Sequence, residues 1–277
     1  MNVNNILGLL EKEPKGVFLL NSYYGVDTCK DIRPLLYSFK SCDFVLVDAN
    51  TQSYFNDIDT NCDYSICSLR KWFPILDGGF VDSKYDLYID FIVNDTTLAK
   101  QKYKVQTEKW FYLESLKQGI VNNVLKDSYL NKNRLIEKEL DNFTSVRYMS
   151  EESKKIKGIL NENECEKQRI INCKYLYDKL KCISYISFVF EQIPDNYAPL
   201  YFPVYVENRV KFLNYLCKNN IYAPILWNKW TNIDKFLNED TNYIYEHLVA
   251  LPIDQRYTED DMNIIVEVIK NFELEYV

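Results

Sequence analysis

Two short apolar runs with a helix-like segment between them constrain this chain more than any other feature. Gly16-Val-Phe-Leu-Leu-Asn21 is a compact apolar run bounded by turn signals, which suits a strand buried on both faces of a parallel sheet. Tyr23-Tyr24-Gly25-Val26-Asp27 follows as the loop at its carboxyl end. Residues Asp31 to Phe39 read as a helix, which puts Pro34 in the first turn, where a missing N–H costs nothing. Phe44-Val-Leu-Val47 is a second buried strand, ending at Asp48. Ser65-Ile-Cys67 and Gly79-Phe-Val81 offer a third and a fourth. Strand, helix, strand with polar residues at the strand ends describes an open α/β sheet, in which ligands gather at the carboxyl edge.

The stretch between the third and fourth strands has no single period. In Tyr64-Ser-Ile-Cys-Ser-Leu-Arg-Lys-Trp-Phe-Pro-Ile-Leu-Asp-Gly-Gly79 the residues Ser68, Arg70 and Lys71 come close together, followed by Pro74 and a double glycine. That is irregular backbone just past a strand end. Burial and the neighbouring Arg70 cation would lower the pKa of Lys71 and make it a candidate Schiff-base nucleophile. The competing reading is a surface loop with solvated Lys and Arg side chains.

Composition narrows the function classes. The 277 residues with 47% hydrophobic content suffice for one large core or two modest ones. A formal net charge of −7 argues against a nucleic-acid binder, whose footprint would be a basic face. No apolar run approaches the roughly 18 residues that span a bilayer. Met1-Asn-Val-Asn-Asn5 has neither the basic nor the apolar region of a secretory signal. The eight cysteines are scattered without a CxxC pair, and there is one histidine. Reduced cysteines in a cytoplasmic protein without a metal site are the expectation.

From about residue 100 the pattern becomes helical. Lys102 to Lys126, with Val105, Trp110, Leu113, Leu116, Ile120 and Val124 three and four apart, predicts one long amphipathic helix. Further helices are expected over Asn131–Leu140, Ser150–Leu160 and Cys165–Leu180, the second opened by a Ser150 cap with acids in its first turn. Ser184–Phe190, Tyr201–Val206 and Ile221–Trp227 read as strands, and Glu207–Asn219 and Thr258–Phe272 as helices. A short helix is also expected over residues 3–12. The expected division is residues 1–125 as a sheet-bearing domain, 126–165 as a helical connection and 166–277 as a smaller α+β domain.

Ser68-Leu-Arg-Lys-Trp-Phe-Pro-Ile-Leu-Asp-Gly-Gly79 resembles the Schiff-base lysine motif of pyridoxal-phosphate enzymes of the aspartate-aminotransferase fold, more narrowly the DegT/DnrJ/EryC1/StrS sugar aminotransferases. Three further stretches agree in order. Asn21-Ser-Tyr-Tyr-Gly25 resembles the family's strand-loop ending in an aromatic and a glycine. Phe44-Val-Leu-Val-Asp-Ala-Asn-Thr-Gln-Ser53 resembles its Asp-x-x-His/Gln segment. Leu251-Pro-Ile-Asp-Gln-Arg-Tyr-Thr-Glu-Asp-Asp-Met262 resembles its C-terminal signature. The resemblance spans nearly the whole chain. It implies an α/β fold: part of a fold type I pyridoxal-phosphate-transferase large domain with a mainly parallel sheet, plus the smaller α+β domain.

The resemblance also implies roles. Lys71 would carry pyridoxal 5′-phosphate as a Schiff base and then move a proton between substrate and cofactor. Ser68 would bond the cofactor phosphate, and Arg70 could add charge there. Asp48 would pair with the pyridinium nitrogen and Gln52 would seat the ring. The implied reaction moves an amino group from an amino acid to a keto sugar nucleotide, in surface-polysaccharide or amino-sugar biosynthesis. Its implied assembly is a homodimer, with no nucleic-acid or membrane partner. Two departures accompany it. Asp48 precedes Gln52 by four positions rather than three, so Ala49 competes for the aspartate's place, and a one-residue slip in a strand turns a side chain to the other face. Family members also carry an N-terminal segment before the part that matches Met1. The expectation is therefore of a chain without that part: an aminotransferase, half of an enzyme completed by an N-terminal polypeptide, or a non-catalytic binding or assembly subunit.

Other candidate residues carry weaker signals. Trp227 and Trp230 with Tyr222 could line a substrate pocket or simply pack in the core. His247, in a helix beside Leu248 and Val249, reads as structural. Arg256 could bind an anion or pair with Asp260.

Overall fold

The strand–helix–strand pattern near the N-terminus folds as a parallel pair in the computed structural model, which describes residues 6–8, 12–13, 15–38, 43–89, 92–194, 197–230, 232–233 and 237–276. Strand β1 (Lys15–Asn21) runs parallel to β2 (Asp43–Ala49) in unbroken register from Lys15↔Asp43 to Asn21↔Ala49. Helix α1 (Arg33–Ser38) crosses between them, with Pro34 in its first turn as the sequence requires. Leu20, Leu46, Leu36, Ile32, Cys29 and Cys62 form one buried cluster. Full burial of a leucine such as Leu36 is worth about 1.5–3 kcal/mol. On β1 the odd-numbered side chains Val17 and Leu19 alternate to the opposite, exposed face. Of the helix expected over 3–12, residues 6–8 and 12 are helical and the rest lies outside the described residues.

The next segment forms a unit of its own. The chain divides by its contacts into Met1–Cys62 with Asn161–Val277, and Asp63–Leu160, a division different from the expected breaks at 125 and 166. In the second unit β3 (Tyr64–Ser68) pairs antiparallel with β4 (Gly79–Ser83). Helices α2 (Thr97–Lys117) and α3 (Asn123–Asp141) form a helical hairpin, and α4 (Glu151–Ile159) follows. The single helix expected over 102–126 is therefore two. Gly119 adopts φ +75°, a left-handed conformation that glycine reaches without penalty and that closes a helix, and Asn122 caps the next one by accepting from the Leu125 N–H at 3.0 Å. The expected apolar stripe splits with it. Val105 is buried, whereas Trp110, Leu113, Leu116, Ile120 and Val124 are exposed. What packs inside the hairpin instead is Tyr112 against Tyr129, with ring centroids 5.7 Å apart.

The C-terminal part returns to the first unit. Helix α5 (Glu162–Leu180) is capped by Asn161, and its first turn carries Glu162 and Glu164 at the positive end of the helix dipole. Strands β5 (Ile186–Phe188), β6 (Phe202–Val206) and β7 (Leu248–Leu251) form an antiparallel sheet in that order, with α6 (Arg209–Lys218), α7 (Glu239–His247) and α8 (Glu259–Tyr276). Its core includes Leu176, Val204, Phe212, Leu251, Met262 and Ile269, all buried completely or nearly so. Helix α8 starts with a reciprocal cap. The Asp261 carboxylate accepts from the Thr258 N–H at 2.8 Å, and the Thr258 hydroxyl accepts from the Asp261 N–H at 3.4 Å. The strand expected over Ile221–Trp227 is irregular backbone, because Pro224 cannot donate to a ladder and Asn220 turns the chain at φ +61°. The helix expected around His247 is α7, but it ends there, and Leu248 and Val249 open β7, a strand with no counterpart in the sequence reading. Among the described residues no helix is long and apolar enough to cross a membrane.

Candidate active site

Lys71 stands on a short 3-10 turn, Leu69–Lys71, directly after β3. The loop it belongs to closes on itself: the Leu69 N–H donates to Gly78 O at 3.2 Å, and the Trp72 N–H to Leu69 O at 3.0 Å. Its apolar residues Trp72, Phe73, Ile75 and Leu76 are buried and anchor it to its unit. The start of α4 clamps the far side. The Ser153 hydroxyl accepts from the Leu76 and Asp77 N–H groups at 3.1 and 3.2 Å, while the Asp77 carboxylate accepts from the Ser150 N–H at 3.1 Å and from its hydroxyl at 2.7 Å. Both glycines are required. Gly78 has φ +119°, and a Cβ on Gly79 would stand 2.6 Å from Cys67 O. Within this packed loop Lys71 is exposed, as are Pro74 and Gly79.

Burial of the surroundings, and then the Arg70 charge, hold the Lys71 ammonium pKa below the ordinary lysine value, with Cys67 acting weakly the other way. The side chain is nonetheless solvent-exposed, so water screens part of this effect. Among the described residues no acidic side chain forms a salt bridge with Lys71. Arg70 differs: its guanidinium Nη1 lies 3.1 Å from Glu137 Oε1 on α3, and Lys102 from α2 binds the same carboxylate. Burial alone would raise the Glu137 pKa, but Lys102 and Arg70 together hold it below the usual carboxylate range. Arg70 is thus engaged by Glu137, a partner the sequence did not announce. Ser68 is half-buried at the end of β3.

Asp48 and Gln52 lie in the other unit. The β2 register contains no bulge, so Asp48 shares the face of Leu46, toward α1, and Ala49 takes the opposite face. On that inner face the Asp48 carboxylate accepts from Arg33 Nη2 at 2.8 Å. Arg33 also bonds Asp27 and Asp59, each at 2.7 Å, and Tyr37 donates to the Asp59 carboxylate. Burial works against the Arg33 charge, but its bonds to Asp27 and Asp48 overrule it, and the net pKa lies above the ordinary guanidinium value. A cation in the first turn of a helix opposes the helix dipole, which makes Arg33-Pro34 a sequence signal that a carboxylate must be near. A polar cavity of about 250 Å³ borders this cluster, lined also by Ser22, Asn50 and Asn56. Gln52 is buried and its Oε1 accepts from the Tyr24 N–H at 3.2 Å.

This architecture is that of known enzymes. A sugar aminotransferase from Micromonospora echinospora, CalS13, superposes with a TM-score of 0.53 at 14% identity, over 93% of this chain and 67% of its own. A DegT DnrJ EryC1 StrS aminotransferase from Brucella abortus reaches 0.59 at 15% identity, over 98% and 70%. The chain has the fold of the sugar aminotransferases. A putative sugar aminotransferase of that fold from Streptococcus pneumoniae, Spr1654 in its PMP form, gives 0.58 at 13% identity, over 97% and 71%. The sugar-aminotransferase fold is thus the fold type I α/β architecture expected from the sequence, and the chain spans about two thirds of the length of these enzymes. No family model and no curated protein sequence matches the chain.

Within the sugar-aminotransferase fold, the predicted residues fall into two sets. Ser68, Arg70 and Lys71 stand together in the unit 63–160, and Asp48 and Gln52 together in the other. Sequence reasoning missed Arg33 and Glu137, the ions that engage Asp48 and Arg70. The weaker candidates resolve simply. Trp227 lines a cavity with Tyr23 and Tyr24, while Tyr222 and Trp230 are more than three-quarters exposed. His247 ends α7 stacked on Tyr243, and Arg256 bonds Asp254, not Asp260.

Proposed function

We propose that this chain is a pyridoxal-phosphate-dependent, aminotransferase-like protein in which Lys71 receives the cofactor. The observation that supports this reading is a packed, glycine-dependent loop that presents one exposed lysine with a lowered pKa directly after a strand. Such an amine is neutral, and so nucleophilic, at lower pH than an ordinary lysine. When bound, the cofactor supplies an electron sink for the bonds around an amino-bearing carbon. The chain's own contribution at Lys71 is a positioned amine that can hold or move a proton. Ser68, at the end of β3, is the phosphate-side donor. The cytoplasm is the proposed compartment, and the proposed substrates are an amino-acid donor and a keto sugar linked to a nucleotide, bound by a homodimer or with a complementing N-terminal polypeptide.

The fit is uneven. Lys71 suits the cofactor, whereas Asp48 does not suit the pyridinium, because its carboxylate already serves Arg33 on the inner face of β2. That ion pair favours a second reading, a binding or assembly subunit that retains the fold without turnover. Incubation with pyridoxal phosphate, borohydride reduction and peptide mapping test the first reading. Covalent capture at Lys71, lost in Lys71→Ala, is the expected result; capture spread evenly over surface lysines would overturn it. Amino transfer from glutamate to a nucleotide-linked keto sugar then separates an enzyme from a subunit.

A further inference from the structure

The first unit contains a cavity of about 380 Å³ that none of the proposed chemistry uses. That volume lies within the range of small-molecule sites, roughly 300–1,000 Å³. Its lining is overwhelmingly apolar and aromatic, with Tyr23, Tyr24, Phe190, Tyr205 and Trp227 among its walls. Trp227 meets both tyrosines edge to face, at 5.3 Å from Tyr23 and 5.8 Å from Tyr24. A tight turn fixes those rings. The Tyr23 N–H donates to Val26 O at 3.1 Å, the Val26 N–H returns to Tyr23 O at 3.0 Å, and Tyr24 is held at φ +54°. A tyrosine in the left-handed region is uncommon and marks a position fixed by its surroundings.

Two donors in these walls are unsatisfied. Tyr24 is 3% exposed, and its hydroxyl is buried without a hydrogen-bond partner among the described residues. Arg209, the first residue of α6, donates from Nη1 to Leu248 O at 3.4 Å, but its Nε–H is buried and unpartnered. Among the described residues Arg209 forms no salt bridge. Glu246, the nearby carboxylate, accepts instead from Asn242 and lies 3.9 Å from Lys229. Buried donors without acceptors are costly, and an aromatic cavity supplies none.

We propose that this cavity binds a small monocarboxylate with an aryl or alkyl body, its ring or chain against Tyr23, Tyr24 and Trp227 and its carboxylate accepting from Arg209 and Tyr24. The chemistry discriminates. A sugar or nucleotide has a polar group at nearly every carbon, and these walls would strip water from them without replacement. A polyphosphate would exceed the single cation. A carboxylate on an apolar body matches both the wall and the charge. This inference is independent of cofactor binding at Lys71.

Isothermal titration of the full chain with 3-phenylpropionate and its neutral primary amide tests it. The acid is expected to bind at one saturable site, about tenfold more tightly than the amide. Arg209→Gln should weaken the acid about tenfold and leave the amide unchanged, Tyr24→Phe should weaken the acid several-fold, and Lys71→Ala should bind as the parent does. Arg209→Lys keeps the charge and should retain the preference for the acid, which covers the case of a misfolded Arg209→Gln. Equal binding of acid and amide by the parent, retention of the preference in a folded Arg209→Gln, or no saturable binding of either compound would overturn the proposal.

Discussion

Arg33 Nη2 lies 2.8 Å from Asp48 Oδ1, and the two side chains are 10% and 2% exposed. A buried ion pair contributes little net stability, but removing one partner strands the other charge, at about 3–5 kcal/mol. Arg33→Met is expected to lose that much in urea denaturation. Arg33→Met combined with Asp48→Leu should recover the part owed to the buried Asp48 charge, while Asp27 and Asp59 remain without the guanidinium. A double variant no more stable than the single one would show that Asp48 is not the group Arg33 neutralises.

Lys71 should titrate below an ordinary lysine. Its folded-state pKa is lowered by burial and then by Arg70, so the amine loses its proton before the ordinary lysine value of about 10.4 is reached. Site-resolved labelling of lysines across pH, read by mass spectrometry, should give Lys71 a midpoint below that of an unstructured lysine peptide. Arg70→Gln should move that midpoint upward by removing a like charge.

The Ser153 hydroxyl accepts two backbone N–H groups of the lysine loop and is fully buried. Ser153→Ala leaves both donors without their acceptor and is expected to cost about 1–3 kcal/mol. Hydrogen exchange at Leu76 and Asp77 should accelerate with it, while exchange in β1 and β2 stays unchanged.

Gly79→Ala places a methyl 2.6 Å from a backbone oxygen of Cys67, an obstacle that cannot rotate away. The variant is expected to lose about 2 kcal/mol or more, as overpacking does, and to shift the β3–β4 pairing. Gly8→Ala, at a helical position with nothing within 4 Å of the new methyl, is the control and should keep or raise the melting temperature.

Acid should weaken the first unit through Asp59. Burial raises its pKa, but the Tyr37 hydroxyl, the Asn61 N–H and Arg33 outweigh that and leave it below the usual value. A carboxyl with a depressed folded-state pKa stabilises fully above its unfolded pKa of about 3.9, and that stability is lost as pH falls through the folded value. The urea midpoint should therefore drop below about pH 4, and Asp59→Asn should flatten that dependence.

The strands β1 to β4 were legible because buried strands leave short apolar runs, and the Ser150 cap of α4 was legible because caps are local. The lysine loop was recognisable by the order of its neighbours, since no periodicity describes it. Periodicity failed where it counted residues past a break. The stripe from Val105 to Val124 reads as one face of one helix, yet Gly119 ends that helix, and Trp110, Leu113 and Leu116 before it are exposed as well. Of α7 only the end at His247 was legible, because none of the residues Glu239–His247 is buried, and the short strand β7 directly after it was taken into the same helix.

The sequence by itself determined the α/β class, the positions of most elements and the identity of the candidate lysine, because burial preference and turn chemistry are written residue by residue. Only the tertiary structure decided which ions meet. Arg33 reaches Asp48 across fifteen positions and Glu137 reaches Arg70 across sixty-seven, and nothing local specifies either partner. A buried charge must find its counterion wherever the fold brings one near, so the assignment of Asp48 depended on a strand register that the sequence left open and the structure closed.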